Sequence, residues 1–268
     1  MKREKELPFG KDIPFPIAEK PAFAALRRSL ISMFKPGESI VRNARMVLVD
    51  LPVRRDKVAG ILPLGLRPAD PAMARLFVVS YERAAYCPPY NEASLSFFVR
   101  SPFGEGGHVA WMVVDDDTAL ILGRELLSCP KKMAVIRYHE TGGRVTADVE
   151  RKGTMLLSID AEITGSEERP EFVLGAKAFN VGGPGQLFFF NPVWCFRLGE
   201  VIYESRTALG TLAIDHSLLD PLREYVADFD NPLPMRVVRM DINLLKYMFP
   251  VGLTGIAWFL RTYNMRFR

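Results

Sequence analysis

The sequence is poor in the residues that build disulfide frameworks and metal centres. Its 268 residues include only three cysteines, Cys87, Cys129 and Cys195, and three histidines that stand far apart. An odd number of widely spaced cysteines excludes a disulfide framework and a zinc knuckle, and it favours a reducing, cytoplasmic compartment. Asp115, Asp116 and Asp117 could suggest a metal site, but three consecutive acids point in different directions and no histidine lies at ligand spacing from them, so we expect none.

Dense charge and long apolar runs are also missing. The net charge is only +4, and no basic stripe accompanies a nucleic-acid-binding motif, so we expect no nucleic-acid partner. Prolines interrupt the N-terminal segment, which therefore does not read as a secretory signal. The apolar stretch Leu244–Leu260 has seventeen residues, fewer than the roughly twenty that span a bilayer. We expect a helix packed on the core or on a second subunit; the alternative is peripheral membrane contact through Trp258 and Phe259.

The remaining composition predicts a folded, β-rich protein. Hydrophobic residues make up 49% of the chain and charged residues 25%, which is typical of a globular domain with a large core. Many short strand-like segments alternate with few helices, a pattern that indicates an α+β fold with a largely antiparallel sheet. We expect a single domain over residues 1–268, with an N-terminal arm to about residue 40 and a C-terminal helix over about 242–268.

Local patterns give the expected elements. Strands are predicted at residues 45–51, 75–83, 93–99, 108–114, 134–139, 144–152, 154–163, 171–179, 187–197, 201–205, 207–214 and 236–241. Helices are predicted at residues 22–34, 56–62, 118–127 and 218–225. An aspartate among residues 115–117 is placed to cap the third of these helices, because its carboxylate can accept hydrogen bonds from first-turn amides.

Two adjacent lysines, Lys131 and Lys132, are the strongest candidate for chemistry. An amine is nucleophilic only when neutral, and the ordinary lysine pKa is about 10.4. A neighbouring cation or removal of water lowers that pKa, because both disfavour the charged form. A lysine pair at the wall of an apolar cavity can therefore supply a neutral amine that forms an imine with a ketone. Without such a cavity, the pair is an ordinary solvated surface feature.

The motifs around this doublet carry a resemblance to a known family. They are Arg45, Tyr90-Asn91-Glu92, Asp115-Asp116-Asp117, Gly123-Arg124-Glu125 and Pro130-Lys131-Lys132, with thirty-nine residues from Glu92 to Lys131. This pattern resembles the acetoacetate decarboxylase family, in which an activated lysine forms a Schiff base with the substrate. The resemblance implies a cone-like or barrel-like antiparallel sheet with peripheral helices, and a homo-oligomer.

The resemblance also implies roles for individual residues. Lys131 corresponds to the imine-forming lysine and Lys132 to the neighbour that lowers its pKa. Glu92 corresponds to the active-site carboxylate, and Arg45 to the arginine that binds the substrate carboxylate. Ungapped alignment places Phe77 where the family has a second glutamate, which favours a larger or more apolar substrate. The alternative to these roles is that the residues have no function in a site. Arg45 would then be a surface arginine, Glu92 an exposed strand residue and Phe77 a core aromatic.

Three functional hypotheses follow. The first is a lyase that decarboxylates a β-keto acid through an imine. The second is an aldolase-dehydratase or hydratase that uses the same lysine on pyruvate-like keto acids, because the departure at Phe77 alters the pocket. The third is a non-catalytic protein that binds a small molecule on this scaffold. Neither a metal nor an organic cofactor is expected, because the lysine itself provides the electron sink. Arg124 and Glu125 are expected to fix the lysine segment.

Overall fold

The computed structural model describes residues 39–183 and 190–268. The strands of this part of the chain are β1 (Ser39–Pro52), β2 (Arg67–Pro68), β3 (Met73–Ala84), β4 (Tyr90–Ser101), β5 (Gly104–Val114), β6 (Lys131–Met133), β7 (Val135–Thr141), β8 (Arg144–Arg151), β9 (Thr154–Ser166), β10 (Ala178–Val181), β11 (Asn191–Ile214) and β12 (Leu233–Thr254). The helices are α1 (Arg55–Ile61), α2 (Asp117–Leu127), α3 (Leu222–Tyr225) and α4 (Ile256–Arg266). The N-terminal arm, with its expected helix at 22–34, falls almost entirely outside the described residues.

The strands form one sheet that closes on itself. Its hydrogen-bonded path is β10-β5-β4-β3-β1-β12-β11-β9-β8-β7, and β10 also pairs with β11. This additional pairing joins the first strand of the path to the seventh, so that seven strands form a ring and β9, β8 and β7 extend from it. The short strands β2 and β6 attach to β4 and β5. The expected α+β, sheet-dominated and barrel-like fold is confirmed.

Alternation along the strands creates two cores. Successive side chains of a strand point to opposite faces of the sheet. In β1, Val47 and Val49 belong to the larger core, whereas Met46 and Leu48 belong to the second one. The second core also contains Phe77 and the residues around the lysine doublet, so this face of the sheet positions the candidate site.

Helix α2 precedes β6, the strand that carries Lys131 and Lys132. The Asp116 carboxylate accepts a hydrogen bond from the backbone N–H of Ala119 at 2.8 Å, which confirms the expected aspartate cap. The helix ends at Ser128, whose φ of 57° is left-handed. The Ser128 hydroxyl donates to the carbonyl of Gly182 at 3.0 Å. This anchored turn leads directly into β6.

Some expected elements differ from the structure. The C-terminal helix does not begin near residue 242, because β12 stays paired with β11 as far as Thr254 opposite Asn191. Only Ile256–Arg266 is helical there, so strand pairing overrides the helix-like apolar spacing. The segment 171–179 is mostly irregular, with a strand only at Ala178–Val181. Within the described residues, no helix combines the length and apolar character needed to cross a bilayer.

Candidate active site

The lysine doublet lies on β6, which pairs in parallel with β5. Lys131 aligns with Met112, and Lys132 aligns with Val113. Because successive side chains alternate between faces, the two amines leave the strand in opposite directions. Both lysines are buried, each with 5% of its surface exposed. The doublet is therefore not a solvated surface pair.

Lys131 forms a buried ion pair with Glu92. Its Nζ atom lies 2.7 Å from Glu92 Oε2, and the two side chains are 5% and 6% exposed. Glu92 stands on β4, aligned with Val114 of β5. Three adjacent strands, β4, β5 and β6, thus bring together two residues that are far apart in sequence.

The ion pair determines the resting charge of the amine. Burial acts to lower the pKa of Lys131, but the attraction of Glu92 opposes it and the net pKa is raised. The resting side chain is therefore an ammonium ion. The charged partner of this amine is Glu92, whereas Lys132 points to the other face of the strand.

Three tyrosines surround this ion pair. The Tyr81 hydroxyl donates to Glu92 Oε1 at 3.4 Å, and the Tyr86 and Tyr90 hydroxyls lie 3.2 Å apart. The Lys131 Nζ atom lies 5.4 Å from the centre of the Tyr90 ring. Burial is the first cause that raises the pKa of each tyrosine, so all three hydroxyls keep their protons and can donate hydrogen bonds.

A cavity of about 600 Å³ opens at this cluster. Its wall includes Lys131, Glu92, Phe77 and Cys129, and most of the remainder is apolar. Burial raises the pKa of the Cys129 thiol to about 11, so the thiol stays protonated and acts as a small buried apolar group. Within the described residues, no cluster of three histidine, cysteine or carboxylate side chains could hold a metal ion.

Lys132 belongs to a separate buried ionic cluster. Its Nζ atom forms an ion pair with Asp220 and donates to the carbonyl of Asn264 at 3.1 Å. Asp220 also pairs with Arg151 at 2.7 Å and accepts from Trp111 Nε1 at 2.8 Å. Burial lowers the pKa of Lys132 to about 8 despite the attraction of Asp220. Strand alternation thus directs Lys132 into this cluster and away from the side chain of Lys131.

Arg45 does not reach the cavity. It pairs with Glu82, its side chain is 31% exposed, and it is absent from the cavity wall. Its neighbours Ala44 and Met46 belong to the second core, so alternation turns Arg45 to the opposite face. The structure therefore does not bring Arg45 together with Lys131 and Glu92 at this cavity.

Phe77 does lie at the cavity. It is 4% exposed, lines the wall and stands on β3, aligned with Ser94 of β4. Its ring supplies an apolar surface on the same side of the sheet as Glu92, so the wall has an aromatic ring on the face that carries the ion pair.

Helix α2 and the C-terminal segment hold the lysine strand in place. A Cβ atom at Gly123 would lie 2.5 Å from Lys131 Cδ, so the lysine side chain passes directly over this glycine. Arg124 Nη1 donates to the carbonyl of Lys131 at 2.9 Å and to that of Arg266 at 3.2 Å. The expected role of Arg124 in fixing the lysine segment is confirmed, whereas Glu125 is exposed.

Sequence reasoning missed the partners of Lys132 and the tyrosines. Asp220 and Arg151 belong to no recognisable motif, and their meeting depends on long-range packing. Tyr90 was part of a predicted motif but was given no role, although it stands two residues before Glu92 on a strand and therefore shares its face. Tyr81 follows from pairing, since β3 and β4 align it with Tyr90.

Comparisons with known proteins agree with this architecture. A sequence model of the family described as acetoacetate decarboxylase matches residues 27–231. The structure of acetoacetate decarboxylase from Legionella pneumophila is similar with a TM-score of 0.71 and 16% identity, over 82% of this chain and 90% of that one. The enduracididine biosynthesis enzyme MppR, solved with pyruvate, has a TM-score of 0.66 and 16% identity over 78% and 89% of the two chains. An acetoacetate decarboxylase-like enzyme from Sphingomonas wittichii RW1 has a TM-score of 0.61 and 17% identity over 80% and 91%. No curated protein matches the chain.

Proposed function

The chain belongs to the acetoacetate decarboxylase family, and we propose that it is an imine-forming lyase that acts on a keto acid through Lys131. The observation that carries this proposal is the buried Lys131–Glu92 ion pair, with its 2.7 Å separation, at the wall of an apolar cavity. Perturbed ionisable groups that meet in a cavity are typical of catalytic sites. A lysine with a purely structural role has no need to face such a cavity.

Glu92 provides the route by which the ammonium ion becomes a nucleophile. A bound keto acid displaces water from the cavity. As the site becomes drier, the ion pair becomes less stable relative to the neutral amine and carboxylic acid. The proton of Lys131 then passes to Glu92, and the free amine attacks the ketone carbon. Glu92 carries protons from the nitrogen to the oxygen, which leaves as water. Overall, an ammonium ion and a ketone become an iminium ion and water.

The favoured reaction from this iminium is decarboxylation of a β-keto acid. The bond between the α-carbon and the carboxylate breaks, carbon dioxide leaves, and the electron pair moves into the iminium to give an enamine. A proton from the solvent then adds to the enamine carbon and restores an iminium ion, and addition of water releases the ketone and regenerates the ammonium form of Lys131. The Glu92 carboxylate stays beside the nitrogen and is its counter-ion whenever the nitrogen is a cation.

An aldolase-dehydratase on a pyruvate-like acid is the second candidate. Phe77 favours it, because an aromatic ring replaces the second carboxylate expected from the family pattern and changes the local acid–base chemistry. The similarity to MppR, solved with pyruvate, also favours this second candidate. Product analysis separates the candidates: carbon dioxide from a β-keto acid supports the first, and condensation of pyruvate with an aldehyde supports the second.

Borohydride trapping tests the proposal directly. The protein is incubated with a panel of β-keto acids and pyruvate-like acids, reduced, digested and read by mass spectrometry, and we expect a secondary-amine adduct on Lys131. Lys131→Arg is the control, because it keeps a buried cation beside Glu92 but cannot form an imine. Absence of any adduct across the panel would refute the proposal and favour a non-catalytic binding protein.

A further inference from the structure

The cavity is much longer than the ion pair at its inner end requires. Six residues of β4 line it: Tyr90, Glu92, Ser96, Phe98, Val99 and Arg100. Glu92 and Arg100 are eight residues apart, which corresponds to roughly 26 Å of extended strand. The volume of about 600 Å³ lies within the range of pockets that enclose sizeable organic ligands. A substrate as small as acetoacetate would leave most of this space unfilled.

The part of the cavity between Phe77 and Arg100, here called the channel, has an apolar wall. Phe98, Val109, Phe172 and Leu198 line it together with the ring of Phe77. Burial of an apolar chain against such a wall is favourable in proportion to the area removed from water. The wall therefore suits a hydrocarbon chain.

Charged groups near the channel mouth are already paired. Arg100 forms an ion pair with Glu105 at 2.9 Å, and these side chains are 52% and 71% exposed. Arg75 donates two hydrogen bonds to Asp50, at 2.8 Å and 2.7 Å. These cations are neutralised by their partners, so an anionic group has little reason to lie at this end.

Hydrogen-bond donors instead lie at the inner end. The Tyr86 and Tyr90 hydroxyls, 3.2 Å apart, lie on the cavity wall with Lys131. One of the two hydrogens is used in this mutual hydrogen bond, and the other can be donated to a carboxylate. Neutral donors orient a carboxylate but stabilise its charge less than an arginine would, because they lack the positive charge and the bidentate geometry of a guanidinium group. Loss of the carboxylate as carbon dioxide is then less strongly opposed.

We propose that the substrate is a β-keto acid whose ketone carries an extended apolar chain, with its carboxylate at Tyr86 and Tyr90 and its chain along the channel. This inference rests on the proposed imine function and adds the substrate class. It also gives the carboxylate a place in a cavity that Arg45 does not reach.

A chain-length series tests this assignment. Decarboxylation of 3-oxobutanoate, 3-oxohexanoate, 3-oxooctanoate and 3-oxodecanoate is followed by release of the methyl ketone, and borohydride trapping is run in parallel. We expect kcat/KM to rise about fourfold per added methylene until the channel is filled. A flat or falling series, with an adduct still trapped on Lys131, would overturn the chain assignment alone. Absence of adduct with every acid would overturn the proposed function.

A variant that blocks the channel gives an independent test. Gly107 lines the cavity, and a Cβ atom there would meet only Ser96 Cβ at 4.0 Å, so Gly107→Leu can extend into the channel without a backbone clash. We expect the ratio of kcat/KM for 3-oxodecanoate to that for 3-oxobutanoate to fall at least about tenfold. Gly60→Leu is the matched control, because a Cβ atom at this exposed helix position meets nothing within 4 Å. An unchanged ratio in Gly107→Leu would contradict the assignment.

Discussion

Replacing Gly123 by alanine should separate activity from stability. A Cβ atom there would lie 2.5 Å from Lys131 Cδ and 2.9 Å from Nζ, whereas carbon atoms prefer separations of about 3.5–4.0 Å. The lysine side chain must therefore shift by about 1 Å, and a misplacement of that size can cost on the order of 10²-fold in rate. Alanine is also a better helix former than glycine by about 1 kcal/mol. We expect Gly123→Ala to lose about a hundredfold in kcat/KM while its unfolding free energy changes by no more than about 1 kcal/mol.

The measurement combines steady-state kinetics, borohydride trapping and urea unfolding of one preparation. Gly60→Ala is the matched control, because Gly60 also lies in a helix but has nothing within 4 Å of its built Cβ. It should show the stability gain without the loss of rate. Full activity in Gly123→Ala would refute the reasoning, because it would mean that the position of Lys131 over this glycine does not matter for the chemistry.

Three further predictions concern charged groups. In Glu92→Gln, Lys131 stays buried but loses its counter-ion, so we expect the pKa of the lysine to fall. Acylation of Lys131 at pH 7 should then be about tenfold faster or more. Turnover should fall about 10²–10⁴-fold, because the proton-transferring carboxylate is missing. Equal acylation rates would exclude Glu92 as the group that keeps the proton on the amine. Asp220→Asn leaves two buried cations unpaired and should lower the unfolding free energy by about 3–5 kcal/mol at pH 7. Burial acts to raise the pKa of Asp220, but its ionic partners lower it on balance. The stabilisation from Asp220 is therefore present above the ordinary aspartate pKa of about 3.9 and is lost as the pH falls further. Urea unfolding should show a smaller difference in unfolding free energy between Asp220→Asn and the wild type at pH 3 than at pH 7. Arg45→Ala should keep kcat/KM within about twofold of the wild type and lose at most about 1 kcal/mol of stability, since the ion pair of Arg45 with Glu82 is partly exposed. A large loss of activity would mean that Arg45 does contribute to the active site.

Much of the sheet could be predicted because strand pairing leaves a local pattern. The segments 45–51, 75–83 and 93–99 lie within β1, β3 and β4, and their β-branched and aromatic residues are typical of strands. The C-terminal end of β12 could not be predicted in this way. Its partner is the distant β11, and no local signal shows that this pairing overrides a helix-like apolar spacing.

The site was predictable where motif and strand geometry agreed. Glu92 and Lys131 meet because β4 and β6 flank β5, and their spacing in sequence matched a known pattern. The structure places Arg45 and Lys132 away from the cavity for a common physical reason. Their roles were predicted from a family resemblance, whereas the face of the strand to which a side chain points decides what it can touch.

The doublet on β6 has a consequence for how mutagenesis of this protein should be interpreted. An alanine scan scored only by product formation would report positions 131 and 132 as equal hits, although one substitution removes the proposed nucleophile and the other unbalances a cluster of buried charges. Only a melting curve or a chemical label on the surviving amine would tell the two defects apart. Two identical neighbouring residues can thus serve a reaction on one side of a strand and stabilise the fold on the other.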